Sequence, residues 1–185
     1  MLDLILDILP FVVFVIGKRW KGLKEGILAS LCFASLALIY HGITNGLGPV
    51  FIFVLVSLGL FLLMGWISYS KQNEVIFKLQ PAIAGGVFGV ILLIAFYAFD
   101  YSVLLELMKD MGQYMPPEYQ GTLDNPQMKS VLYFLSRNLG MGLLILSGFI
   151  TLAAYKLSDW WWLTFRFVGF YVVFFIAMIY AYQTP

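Results

Sequence analysis

The sequence is poor in charged residues, in cysteine and in histidine, and each shortage excludes a class of protein. Charged side chains make up 11% of the 185 residues, whereas 62% are apolar, and the mean hydropathy is +0.91. Soluble domains carry roughly 25% charged residues. Because this chain has too little polar surface to cover a soluble fold, we predict a membrane protein. Its net charge of +1 at pH 7 indicates no nucleic-acid partner.

Side chains that could form a disulfide, bind a metal or catalyse a reaction are equally scarce. One cysteine, Cys32, excludes an internal disulfide, and together with one histidine, His41, it leaves too few ligands for a Cys/His zinc site. The sequence has no nucleotide-binding P-loop, in which a glycine-rich segment leads into Lys-Ser or Lys-Thr. It also has no serine with a histidine and an acid at the spacing of a hydrolase triad. We therefore predict no catalytic residue, no cofactor and no metal, in a protein that is not an enzyme.

Five apolar runs are long enough to cross a membrane, since roughly 20 apolar residues span the hydrocarbon core as a helix. These predicted transmembrane helices are residues 26–43, 48–69, 81–99, 131–155 and 160–182. A sixth run, residues 2–17, reaches only about 24 Å. It contains Asp7 and Pro10, so it is a thin span, a re-entrant piece or an interfacial helix. The predicted fold class is an all-α integral membrane protein with five long helices and a short or broken amino-terminal one, in a single domain over residues 1–185.

One sizeable stretch, residues 100–130, is predicted to lie outside the membrane because it is rich in turn formers such as Pro116 and Pro117. Within it, residues 101–111 carry apolar side chains at helical spacing. This pattern predicts a short amphipathic helix on the membrane surface.

The distribution of lysine and arginine predicts the orientation, because basic residues near helix ends stay cytoplasmic. Alternating the connections between the two sides places eight of the eleven basic residues inside: Lys18, Arg19, Lys21, Lys24, Lys71, Lys78, Lys156 and Arg166. The first four form a juxtamembrane cluster, for which we predict contacts with anionic lipid headgroups; a purely topogenic role is the alternative. Trp160, Trp161 and Trp162 are predicted to anchor the last span at the inner interface.

Three polar residues are predicted within membrane segments: Asp7, Arg137 and Asn138. Arg137 lies about 9 Å inside the fourth span, where a charge is costly and often functional. Three interpretations of Arg137 follow. Its side chain extends to the lipid headgroups, it forms an ion pair with Asp7 or Asp100, or it contacts a substrate or a lipid phosphate. Asp7 is hydrated, caps a broken helix or is part of a proton relay.

Small residues predict close helix contacts at Gly85, Gly89 and Gly140, either within one chain or at the seam of a homodimer.

Four segments also follow one another in an order that carries a resemblance. They are LDLILDILPFVVF at residues 2–14, ALIY at 37–40, NEVIFKLQP at 73–81 and WLTFRFVG at 162–169. Together they resemble the bacterial intracellular septation protein A family, whose members open with an LDFLPLVVFF-type segment. This chain is similar to a divergent member, since its connections at residues 41–48 and 100–130 are neutral and acidic, whereas the family has loops rich in Lys and Arg there.

The resemblance implies a non-enzymatic, multi-pass protein of the bacterial inner membrane. Such a protein takes part in cell envelope biogenesis, septation and membrane homeostasis, through membrane lipids or through cell division and elongation proteins. The positions that match the family pattern are Asp7, Pro10, Glu74, Lys78, Pro81, Asn138, Phe165, Arg166 and Gly169. The alternative function is a small channel or transporter for ions or lipids, in which Asp7, Pro10 and Arg137 line a cavity.

Overall fold

The structure, a computed structural model of the chain, describes residues 2–45, 49–112 and 125–184. These residues form seven α-helices and no strand, which confirms the all-α prediction. The helices are α1 (Leu2–Lys21), α2 (Leu23–Asn45), α3 (Pro49–Lys71), α4 (Glu74–Phe99), α5 (Val103–Gly112), α6 (Pro126–Lys156) and α7 (Asp159–Gln183).

Four of these helices are long and apolar enough to cross a membrane. They are the Leu23–Tyr40 part of α2 and the whole of α4, α6 and α7, so the chain is a multi-pass membrane protein. The remaining predicted span, residues 48–69, falls on α3, and several of its side chains lie outside the described residues. A total of five long spans therefore stays a prediction.

Helix α1 is longer than the predicted segment 2–17 and is not broken at Pro10. Its 20 residues run from Leu2 to Lys21, a length of about 30 Å. Pro10 removes one backbone hydrogen bond from the helix, but its side chain is fully buried, and this packing holds the helix together. The helix ends at Gly22, whose φ of +105° is a conformation that favours glycine.

The chain reverses at Gly22, and α1 then packs along α2. Gly26 is the point of closest approach, because a Cβ atom there would lie 2.5 Å from the backbone nitrogen of Lys18. Helix α2 also packs against α3.

The chain divides into two compact units. The first contains residues 1–84 and 151–163, and the second contains residues 85–150 and 164–185. The core of the first unit is a group of aromatic side chains, each at most 3% exposed: Phe11, Phe14, Phe61, Phe77 and Trp162. The ring centroids of Phe14 and Phe77 lie 4.2 Å apart and those of Phe11 and Phe61 lie 4.7 Å apart. Contacts this close stabilise the ring group beyond simple burial.

In the second unit, the predicted amphipathic segment 101–111 forms α5, and its position on the membrane surface stays a prediction. Val103, Leu104 and Met108 pack against a buried cluster that includes Leu92 and Leu132. The start of α5 is held by Ser102, whose Oγ accepts a hydrogen bond from the Leu105 backbone nitrogen at 3.2 Å and lies 2.8 Å from Ser136 Oγ. Pro116 and Pro117 lie outside the described residues.

The three predicted packing glycines lie between α4 and α6. A Cβ atom on Gly89 would approach the carbonyl oxygen of Gly140 to 2.8 Å, and one on Gly85 would lie 3.1 Å from Ser147 Oγ. These positions therefore serve contacts between helices of the same chain.

Candidate functional site: a four-charge cluster

Two lysines and two carboxylates meet where α1 ends and where α4 and α7 begin. Lys18 lies in the last turn of α1, Glu74 is the first residue of α4, and Asp159 is the first residue of α7. Lys78 follows Glu74 by one helical turn. All four belong to the first compact unit, and we refer to them as the charge cluster.

Each lysine in the charge cluster contacts both carboxylates. Asp159 Oδ1 lies 2.6 Å from Lys78 Nζ, and Asp159 Oδ2 lies 2.8 Å from Lys18 Nζ. Glu74 Oε1 lies 3.1 Å from Lys78 Nζ, while Glu74 Oε2 pairs with Lys18. The two positive and two negative charges cancel, so the charge cluster is formally neutral.

Burial differs among the four side chains. Only 3% of the Lys78 side chain is exposed, against 32% for Glu74 and 22% for Asp159. A buried ammonium without a partner would cost several kcal/mol, and the two carboxylates remove that cost. Burial alone would lower the pKa of Lys18, but its hydrogen bonds to Asp159 and Glu74 outweigh this effect and raise the pKa above the usual 10.5. Lys18 is therefore a stable cation at neutral pH.

Trp162 joins the charge cluster to the aromatic core. Its Nε1 donates a hydrogen bond of 2.9 Å to the carbonyl oxygen of Lys78. Its ring centroid lies 6.3 Å from those of Phe11 and Phe14. Trp162 and the Lys78 side chain are both buried, and ion pairs are stronger where water is excluded.

The three consecutive tryptophans do not share one role. Trp160 and Trp161 are 53% and 60% exposed, as side chains at an interface would be, whereas Trp162 is 0% exposed. The prediction of a depth anchor therefore fails to describe Trp162, which is part of the core.

The four basic residues that are predicted to contact lipid headgroups fall into two groups. Lys18 is engaged by two carboxylates, whereas Arg19, Lys21 and Lys24 are exposed. Trp20, between them, is 81% exposed. The end of α1 thus presents cations and an indole ring on its outside and contributes Lys18 to its inside.

Asp159 is the site residue that sequence reasoning missed. Its partner Lys18 precedes it by 141 positions, so no local pattern joins the two. The available signal was a single acid directly before the Trp-Trp-Trp run, at the start of an apolar span. The sequence predicts Glu74 and Lys78 as site residues only through the family resemblance.

A cavity of about 280 Å³ lies beside the charge cluster in the first unit. Its lining combines positive, negative, hydroxyl and apolar side chains: Val15, Lys18, Arg19, Ser158, Asp159 and Trp160.

Arg137 lies in the second unit and contacts aromatic rings. Its guanidinium carbon is 5.2 Å from the ring centroid of Phe134 and 5.7 Å from that of Phe96. Its Nε donates to Asn138 Oδ1 at 3.2 Å. The predicted pair with Asp100 is not formed; that carboxylate accepts a hydrogen bond from the hydroxyl of Tyr133. The side chain of Asp7, the other predicted partner, lies outside the described residues.

The remaining family-pattern positions have packing contacts. The Phe165 ring stacks on Phe149, with centroids 6.3 Å apart, and the Arg166 guanidinium lies over the Phe167 ring. A Cβ atom on Gly169 would meet Leu146 at 2.5 Å. Pro81 lies inside α4.

Comparison of the chain with protein-family models, with curated proteins and with solved structures found no match.

Among the described residues, no group of three or more His, Cys, Asp or Glu side chains could hold a metal ion.

Proposed function

We propose that the chain is a non-enzymatic, multi-pass protein of the bacterial inner membrane that serves cell envelope biogenesis, septation and membrane homeostasis. It acts through membrane lipids or through cell division and elongation proteins. The proposal rests on the basic residues at the end of α1, of which one is paired inside the protein and the others are exposed. Lys18 is bound internally by Glu74 and Asp159, while Arg19 and Lys21 remain exposed.

The exposed end of α1 and the first turn of α2, which contains Lys24, have the chemistry of a membrane contact. Each basic residue near an anionic leaflet contributes about 1 kcal/mol of attraction, and Arg19, Lys21 and Lys24 are all exposed. Trp20 supplies an indole ring, which favours the headgroup region. These side chains support binding to an anionic lipid surface or to an acidic segment of a partner protein.

The charge cluster supports a structural role in place of catalysis. A carboxylate held between two ammonium groups is a poor base, and an ammonium held between two carboxylates is a poor acid. Asp159 and Lys18 have these arrangements. Their pairing holds the end of α1 against the starts of α4 and α7, which positions the exposed basic residues.

The envelope and septation role is supported by the resemblance to the septation protein A family at residues 2–14, 37–40, 73–81 and 162–169.

A deletion strain tests the proposal. We expect altered cell length, misplaced septa and sensitivity to osmotic or detergent stress, all restored by the wild-type chain. A variant with Arg19, Lys21 and Lys24 each changed to Gln should not restore them at an equal membrane level, because it lacks the exposed cations.

The matched control removes three positive charges elsewhere, with Lys71, Lys129 and Lys156 each changed to Gln, and should restore the phenotype. Normal division and a normal envelope in the deletion strain, combined with altered ion or solute tolerance, would contradict the proposal and favour a channel or transporter.

A further inference from the structure

We propose that the cavity beside the charge cluster is a binding site for the phosphodiester of an anionic phospholipid headgroup, with Arg19 as its main ligand. This inference rests on the proposed function, because it selects membrane lipid as the partner and names the site and the chemical group. The cavity is lined by Arg19, Lys18 and Ser158 as hydrogen-bond donors, by Val15 and Trp160 as apolar walls, and by Asp159, whose carboxylate is paired with Lys18 and Lys78.

The charge of the site matches one phosphodiester. Lys18 and Lys78 are cancelled by Glu74 and Asp159. Arg19 adds one positive charge, and no carboxylate within the described part of the chain forms an ion pair with it. Counted over the described residues, the site therefore carries one uncompensated positive charge, and a phosphodiester carries one negative charge.

The donors also suit this group. A guanidinium binds two phosphate oxygens at once through a planar pair of N–H donors, which a lysine cannot do. Ser158, directly before the start of α7, adds a hydroxyl to the lining. The neutral charge cluster forms the wall behind these donors, and its internal pairs hold Lys18 and Asp159 in place.

The position of the cavity favours a lipid over a soluble ligand. Its residues Ser158, Asp159 and Trp160 stand at the start of α7, which is a candidate membrane span from Asp159 onward. The half-exposed indole of Trp160 borders the cavity, and exposed indoles favour the headgroup region. The volume of about 280 Å³ is near the lower limit of ligand cavities, which suits a headgroup better than a whole lipid.

Native mass spectrometry of the full chain in detergent tests the inference by measuring bound phosphatidylglycerol against phosphatidylcholine. We expect the wild-type chain to prefer phosphatidylglycerol and Arg19→Gln to weaken that binding about tenfold, the effect of losing one charge-assisted hydrogen bond. Arg19→Lys should fall between the two. Ser158→Ala should weaken binding by a smaller factor, about threefold on the same scale.

Lys71→Gln is the matched control, since it removes an exposed positive charge that does not line the cavity; binding should stay within about twofold of wild type. Equal losses for Arg19→Gln and Lys71→Gln, or equal binding of the two lipids, would overturn the inference. Unchanged thermal unfolding of each variant shows that it is folded.

Competition distinguishes the lipid from a soluble phosphodiester. Glycerophosphoglycerol, the deacylated headgroup, should not displace phosphatidylglycerol at matched concentration; full displacement would overturn the assignment to a lipid. The binding result is independent of the cellular test. Unchanged binding in Arg19→Gln with a clear deletion phenotype overturns only this inference, whereas lost binding with no deletion phenotype overturns only the proposed function.

Discussion

Asp159 is one of the two carboxylates that hold the charge cluster together, and its two oxygens each accept from one of the lysines. Changing Asp159 to Asn keeps the shape of the side chain and removes its charge. The buried Lys78 is then left with Glu74 alone as its anionic partner. Removing one partner of a buried pair is far more costly than removing an exposed one.

We expect Asp159→Asn to lower the free energy of unfolding by about 2 kcal/mol, reduced from the cost of a fully buried pair because Asp159 is partly exposed. Denaturant unfolding in detergent micelles measures the effect. Glu106→Gln is the control, because Glu106 forms an exposed pair with Lys109, and such pairs contribute at most about 0.5 kcal/mol. Equal stability of the two variants would show that the charge cluster does not stabilise the fold.

At the scale of elements, the α1–α2 hairpin depends on the absence of a side chain at Gly26. A Cβ atom there would meet backbone atoms of Lys18 and Phe14, at 2.5 Å and 2.9 Å, and a backbone cannot move aside as a side chain can. At Gly59, by contrast, nothing lies within 4 Å of the position that a Cβ atom would take.

We expect Gly26→Ala to destabilise the protein by about 2 kcal/mol through overpacking. Gly59→Ala should be neutral or stabilising by up to about 1 kcal/mol, because alanine is the better helix former. Thermal unfolding of the two variants in the same detergent compares them directly. A Gly26→Ala chain as stable as wild type would show that α1 and α2 do not approach each other so closely at this position.

Helix α5 provides a second test at this scale, because its apolar face packs on the protein. Leu104 packs against the buried cluster around Leu92 and Leu132, whereas Leu107 is 38% exposed. A spin label at Leu104 should therefore be protected from both oxygen and a water-soluble nickel reagent, and a label at Leu107 should be accessible to at least one. High oxygen accessibility at both positions would instead favour the surface helix predicted from the sequence.

At the scale of the whole molecule, the charge cluster requires that the end of α1 and the starts of α4 and α7 lie on one side of the membrane. The distribution of basic residues predicts that this side is the cytoplasm. We expect cysteines introduced at Gln72 and Ser158, in a chain with Cys32 changed to Ala, to react with an impermeant maleimide only after the cytoplasmic side is opened.

A cysteine at Asn125 is the control and should react in intact cells, because its connection is predicted to lie outside. Labelling of Gln72 and Ser158 from opposite sides would rule out the charge cluster. Labelling of both in intact cells would leave the charge cluster in place and reverse the predicted orientation.

The sequence was sufficient for features that depend on local composition. Apolar runs identify membrane helices because each span meets the lipid on its own, and lipid offers backbone groups no hydrogen-bond partner except those within the helix. The helices at Glu74–Phe99, Pro126–Lys156 and Asp159–Gln183 contain the predicted spans 81–99, 131–155 and 160–182. The composition alone also shows that charged residues are few, so that each one is a candidate for a structural or functional role.

The tertiary structure decided which of these side chains meet. Lys18 and Asp159 are 141 positions apart, and Trp162 differs from its neighbours Trp160 and Trp161 only in the helix face it occupies. A hydrophobic or charged residue has the same local preference whether it faces lipid, headgroups or another helix. Its partner depends on how helices that are distant in the sequence pack together. That information is spread over the whole chain and does not lie in any one segment.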